Sequence, residues 1–207
     1  MATIKSSATS DSLVIDPTSK AARVTLYDSA GRELSLQKRA TYVATKVPTS
    51  TTAAAAAVVI ANLIGSASKT VRVHKIIVTG SKATAAENTT VLLAKRTAAA
   101  SGGTSSATTP IPVDSANSAA TATSNFWTVV GSAGTGLGFI DQKSMTLPVT
   151  AGTSEPGEVI FEAPVGTSPD AQAYTLRGTG ESLEVSFNTT LGHVPVVGVT
   201  FIFTEES

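Results

Sequence analysis

The sequence predicts an all-β chain: a jelly-roll-like β-sandwich over residues 51–207, preceded by an N-terminal arm and short hairpin over residues 1–50. Three observations lead there. From about residue 53 the chain is a series of short apolar or alternating runs punctuated by Gly and Pro, the pattern of many short strands joined by turns. No stretch carries a helical period over the length of an ordinary helix. The aromatic residues Phe126, Trp127, Phe161, Phe187, Phe201 and Phe203 all fall inside predicted strands, as one shared core requires.

Taken in order, Met1 to Ser12 is rich in Ser and Thr and lacks periodicity, which marks a segment that only a partner would order. Arg23-Val24-Thr25-Leu26-Tyr27 alternates like a strand, Asp28-Ser29-Ala30-Gly31 supplies turn chemistry, and Glu33-Leu34-Ser35-Leu36 alternates again. So few apolar residues cannot stabilise an isolated hairpin, which therefore needs a partner surface. Arg23, Val24, Leu26, Tyr27, Leu34 and Leu36 are the candidate contact residues. Residues 37–52 read as a linker ending in Pro48-Thr49-Ser50-Thr51-Thr52.

Ala53 to Ile64 is divided, since its alanines favour helix and Val58-Val59-Ile60 favour strand; the β context decides for strand. Thr70 to Thr79 is a strand in which Val71 and Val73 share one parity and Ile76 and Val78 the other, so either a bulge intervenes or both faces are covered. Thr89 to Lys95 follows, with Val91 and Leu93 on one face. Ala98 to Ser124, low in complexity and interrupted by Pro110 and Pro112, reads as a long loop of the kind that serves function or covers neighbours. Phe126, Trp127, Val129 and Val130 restart the apolar signal. Lys143 to Val149, Gly157 to Phe161 and Ala173 to Arg177 are short strands, Ser182 to Phe187 alternates with Leu183, Val185 and Phe187 inward, and Val194 to Thr204 places Val199, Phe201 and Phe203 on one face.

Composition narrows the function. Lys and Arg total 15, Asp and Glu 15, and charged residues are only 14% of the chain. About two-fifths of the residues are Ser, Thr or Ala, so hydroxyls wet the surface, as suits a protein packed among many neighbouring copies. Phosphate binding needs clustered cations, and the densest groups here, Lys38-Arg39 and Lys95-Arg96, hold two each; nucleic acid is not an expected partner. The absence of cysteine removes disulfides, thiolate metal sites and thiol nucleophiles. The polar N-terminus lacks a signal-peptide core, and the longest apolar run, Ala53 to Ala61, is far short of the ~20 residues of a bilayer span, so no membrane partner is expected and synthesis in the cytoplasm is.

A search for chemistry finds no catalytic, cofactor-binding or metal-ligating set. Gly131 to Gly138 lacks the Gly-Lys-Ser/Thr ending of a phosphate loop and no helix follows it, so it reads as a turn; Ser101-Gly102-Gly103-Thr104 fails likewise. His74 and His193 have no acidic or histidine partner at ligand spacing, and His74, between Arg72 and Lys75, reads as an exposed edge position. Glu155, Glu158 and Glu162 cluster near Pro156-Gly157, and Glu181 and Glu184 flank a strand, without an aromatic-lined cleft to face across. Glu205-Glu206 reads as a solvated tail. Asn88-Thr89-Thr90 and Asn188-Thr189-Thr190 match a glycosylation sequon by chance, given no secretory signal.

Several blocks carry a resemblance. They are Asp16 to Glu33, Ser66 to His74 with Leu92 to Arg96, Gly102 to Ser106 with Pro112 to Ser115 and Ala119 to Thr123, Leu176 to Leu183, and Thr204 to Glu206. Together they cover most of the chain and resemble virion structural proteins of tailed bacteriophages, of the decoration, fibre and tail β-sandwich kind. Their motifs are packing and turn signatures, so the resemblance implies a context and no site. It implies a non-enzymatic capsid-exterior protein of decoration, cement or head-fibre type, made in the host cytoplasm and resident in the virion. Its partners would be major capsid or tail proteins and copies of itself, expected as a trimer, with no cofactor. The alternatives are a tail, baseplate or fibre-attachment protein, and a host-carbohydrate-binding domain for which Phe126, Trp127 and Tyr174 are the candidate groove residues.

Overall fold

A computed structural model describes residues 14–15, 22–23, 39–51, 58–149, 155–163, 173–188, 191–192 and 194–206. The chain divides into two units, Met1–Arg39 and Ala40–Ser207. In the first, strand β1 (Val14–Ile15) pairs antiparallel with β2 (Ala22–Arg23). Of the expected contact residues, Val24, Leu26, Tyr27, Leu34 and Leu36 lie outside the described residues, as does the side chain of Arg23.

The second unit is an all-β sandwich. Its strands are β3 (Thr41–Ser50), β4 (Val59–Ile64), β5 (Thr70–Lys82), β6 (Glu87–Arg96), β7 (Thr104–Thr108), β8 (Ile111–Pro112), β9 (Thr123–Gly131), β10 (Gly138–Leu147), β11 (Gly157–Glu162), β12 (Tyr174–Arg177), β13 (Ser182–Phe187) and β14 (Pro195–Glu206). One sheet runs β10-β6-β13-β4-β9-β7 and the other β11-β5-β14-β3-β8, with β12 also on β5. All these strand pairs are antiparallel.

Eight strands form a nested set: β3 pairs with β14, β4 with β13, β5 with β11 and β6 with β10. The segment between β6 and β10 contributes β7 and β9, which widen one sheet beyond β4, and β8, which widens the other beyond β3.

The core lies between the sheets. Tyr42, Ile76, Phe161, Phe201 and Phe203 enter from one side and Leu63, Leu93, Leu183, Val185 and Phe187 from the other, all essentially inaccessible. Each such side chain contributes about 1.5–3 kcal/mol on leaving water. The Phe203 ring stacks on Tyr42 with centroids 5.6 Å apart, and Phe126 meets Phe201 across the layers at 6.3 Å. Successive residues of a strand point opposite ways, so Phe126 joins the core while Trp127, also buried, takes the outer side of its sheet.

The parity switch within residues 70–79 is a bulge. Against β14 the register shifts between Val73 and Lys75, leaving His74 as the extra residue. The bulge resets the pleat, and Val71, Val73, Ile76 and Val78 all face the core.

Several expectations need correction. Residues 41–50 form strand β3 rather than a linker; its sparse apolar content is enough because Tyr42 and Ala44 face the core and the other side faces out. Ala98 to Ser124 is not all loop, for it holds β7 and β8, whose period-2 signal is missing because both lie at sheet edges. His74 is no exposed edge residue: β5 is an inner strand, and the half-buried imidazole Nε2 lies 2.9 Å from Thr204 Oγ1. Glu205 is no solvated tail, since β14 carries it into a buried network.

Candidate functional site

The buried carboxylates of the sandwich are tied into its framework. Glu205, at the end of the central strand β14, has a side chain sealed from solvent. Its Oε1 accepts the N–H groups of Thr121 (2.8 Å) and Ala122 (2.7 Å), and its Oε2 accepts Lys69 Nζ (3.1 Å) and Thr121 Oγ1 (3.0 Å). Ser66 Oγ in turn accepts the N–H groups of Ser68 and Lys69, and lies 2.7 Å from Thr121 Oγ1. One carboxylate thereby clamps the β4–β5 turn and the segment leading into β9 onto the last strand.

Glu184 sits on the outer side of β13, opposite Ala94 and Asn62. Arg96 Nε donates to its Oε2 at 3.1 Å, and the Gly134 N–H to its Oε1 at 3.1 Å. Burial pushes this carboxyl above its ordinary value, while the Gly134 N–H and then Arg96 pull it part of the way back. The Arg96 guanidinium also lies 5.5 Å from the Phe139 ring centroid, a cation–π distance. Lys82, buried, pairs with Glu87, whose Oε2 also accepts the Gly192 N–H.

The glycine-rich run Gly131 to Gly138 thus has a structural use. Together with residues 97–103 it reaches the outer side of the β13 sheet, at Glu184 and Trp127. A Cβ on Gly134 would stand 1.8 Å from the Ala98 carbonyl oxygen, and one on Gly131 would stand 2.5 Å from Trp127 Nε1. Trp127 Nε1 donates to the Gly102 carbonyl at 3.0 Å. Only residues without a side chain allow this close approach of loop to sheet.

Other residues singled out in the sequence are not brought together. Glu162 pairs with Lys75 at 2.9 Å, and that hydrogen bond and charge lower its pKa. Glu181 pairs with Lys95 at 3.3 Å, and His193 lies outside the described residues. Among the described residues no group of three or more His, Asp or Glu side chains could hold a metal ion, and no helix is long and apolar enough to cross a membrane. Phe126, Trp127 and Tyr174 line no open groove, for all three are buried. The Tyr174 hydroxyl donates to Asp141 Oδ2 at 3.4 Å, and burial, with the Asp141 charge beside it, pushes the phenol up to about 12. A cavity bounded by Lys46, Ile60, Phe126 and Trp127 holds only about 10 Å³, room for a single water.

What stands open is a surface. On the outer side of the β14 sheet, strand register aligns Ile111, Val43, Ile202, Lys75 and Glu162 in one row across five strands. The next row holds Thr45, Thr200, Ile77 and Ile160, and the hydroxyls of Thr45 and Thr200 are 2.6 Å apart. Ile111 is 67% exposed, while Val43, Ile77, Ile160 and Ile202 are half-buried. Sequence reading missed this face. Its signal was present in Ile76-Ile77 and Phe201-Ile202-Phe203, where apolar residues occupy both parities of one strand.

Comparison with known proteins finds no matching family model, no similar curated protein and no similar solved structure.

Proposed function

We propose that the chain is a non-enzymatic structural component of a tailed-bacteriophage particle: a capsid-exterior protein of decoration, cement or head-fibre type, working as a homo-oligomer. The observation that carries this reading is the contrast between the two outer sides of the sandwich. The middle of one carries the chain's own loops, bonded to Glu184 and Trp127, and the middle of the other is a row of branched apolar side chains. That is the build of a packing module, whose free energy comes from area covered rather than from a few convergent polar groups.

The strand order supports a jelly roll. Taking the nested strands β3, β4, β5, β6, β10, β11, β13 and β14 as first to eighth, one sheet runs first, eighth, third, sixth and the other second, seventh, fourth, fifth. This is the connectivity of two interlocked Greek keys, an arrangement shared by capsid proteins and lectins among others. The low-charge, hydroxyl-rich composition fits a protein surrounded by copies. In this reading the N-terminal segment supplies further contacts to capsid or tail proteins through Arg23, Val24, Leu26, Tyr27, Leu34 and Leu36. Many modest contacts repeated over a symmetric particle then hold it by avidity.

Copy number per particle tests the proposal, by quantitative mass spectrometry of purified virions against the major capsid protein. A ratio of one per capsid subunit, or one per three, is the expected result. A few to a few dozen copies would move the protein to the tail or to fibres at the vertices, and complete absence from virions would overturn the structural reading.

A further inference from the structure

We propose that the outer face of the β14 sheet, centred on Val43, Ile202, Ile77 and Ile160, is where a second copy of this chain docks. Area, charge and contrast each argue for this occupant. With about seven residues from each of the long strands β3, β14 and β5, the 6 of β11 and the 2 of β8, at ~4.8 Å spacing and ~3.3 Å per residue, the face spans roughly 460 Å² in projection. Side-chain relief brings that close to the ~800 Å² each partner contributes to a stable interface.

Charge bears on the identity of the partner. Within the two central rows the charged side chains are Lys75 and Glu162, and they neutralise one another at 2.9 Å. The next charges along β5 and β14 do the same, with Arg72 Nε 2.8 Å from Glu206 Oε2. Glu158, exposed, stands one row beyond Ile160 on the edge strand β11, and the centre of the face, whose charges pair internally, presents no sign for an oppositely charged partner to match. It meets an identical face without like-charge repulsion, the cost that usually opposes pairing of two equal surfaces. The threonines Thr45 and Thr200 add hydroxyls that donate and accept equally, so they too are complementary to themselves.

The third argument is the contrast with the other sheet, where the chain's own segments reach the outer side, the Gly134 N–H bonding Glu184 and the Gly102 carbonyl accepting from Trp127. The chain's own loops thus occupy the middle of one outer side, leaving Val129 and Phe139 exposed toward its edges, whereas the middle of the other is a row of branched apolar side chains. Patches of that size on a soluble surface mark interaction sites.

The inference rests on the homo-oligomeric part of the proposed function and is independent of the virion, so the two fail separately: association is read on purified protein and copy number on particles. The test is sedimentation equilibrium of the full chain between about 1 and 100 μM, with far-UV circular dichroism to verify folding. The wild type is expected to self-associate in this range. Ile77→Lys and Ile202→Lys should each weaken association at least 100-fold, while Leu137→Ser, on a more exposed apolar residue of the other sheet's rim, should leave it unchanged. If a lysine variant fails to fold, Val43→Thr with Ile77→Thr keeps strand-forming branched side chains and carries the same test. A wild type that stays monomeric at 100 μM would overturn the proposal and leave the face to a different protein. Folded face variants that associate like the wild type would overturn it as well.

Discussion

Removal of the Glu205 carboxylate separates two readings of the C-terminus. As a solvated tail residue it would be replaceable by alanine at no cost. In the structure its carboxylate accepts two backbone N–H groups at 2.8 and 2.7 Å, and Glu205→Ala leaves both without an acceptor. An unsatisfied buried donor costs about 1–3 kcal/mol. The Ala122 N–H is buried, but Thr121 is exposed enough for water to relieve part of its loss. Lys69, a quarter exposed, adds no more than about 1 kcal/mol as an ion pair. The sum is about 2–4 kcal/mol, which in a chain of this size lowers Tm by roughly 5–15 °C. Glu206→Ala is the control, since it breaks the partly exposed pair with Arg72, which should cost under about 1 kcal/mol. Differential scanning calorimetry of the two variants and the wild type reads the difference. Hydrogen exchange at Thr121 and Ala122 should accelerate in Glu205→Ala alone. Equal melting temperatures for the two variants would refute the clamp.

Other outcomes follow from the same geometry. Gly131→Ala places a methyl group against the indole of Trp127, the single tryptophan, and should shift its fluorescence to longer wavelength with a loss of about 1–3 kcal/mol; an unchanged spectrum would mean the loop does not press on the ring. Phe203→Ala should cost about 3–5 kcal/mol in urea unfolding, whereas Val47→Ala, 70% exposed, should stay within about 0.5 kcal/mol. Because the folded state raises the Glu184 pKa above its unfolded value, the ionised residue weakens the fold at neutral pH. That penalty should fade as pH drops through the folded pKa toward 4.5, so unfolding free energy should show a gain over this range that Glu184→Gln lacks. Tyr174 should ionise near pH 12, a phase in the ultraviolet titration that Tyr174→Phe removes; since its folded pKa is raised, stability should fall as pH climbs above 10.

The parts legible in the sequence were those whose pattern is set by burial on one side. Leu183, Val185 and Phe187 alternate because β13 faces the core with that parity, and Val199, Phe201 and Phe203 do so on β14. Even the bulge at His74 left a trace, as a parity break between Val73 and Ile76. Legibility ends where a strand's surroundings are remote in sequence. Strand β3 looks like a linker because its partners, β14 and β8, lie far along the chain. Strand β7 has polar residues on both sides because it ends a sheet, and nothing local distinguishes it from a loop. Glu205 takes its meaning from residues 66–69 and 121–122, which no local pattern connects to it. The open face was hidden for a related reason: Ile77 and Ile202 meet only after two strands separated by more than a hundred residues pair.

The place of β14 between β3 and β5 sets a timetable for synthesis. Strands β3 and β5 leave the ribosome early, yet the strand that joins them spans residues 195–206. At translation rates of about 5–20 residues per second, roughly 6 to 23 s pass between completion of β5 and arrival of β14. Throughout that interval two long strands wait with an empty slot between them and their hydrogen-bonding edges bare, the condition under which nascent chains capture one another. Completion of this sheet therefore waits for residues 195–206, and a chain cut short of residue 195 would lack the keystone of the sheet. A high local concentration of nascent copies would make yield depend on chaperones and temperature before any partner is met.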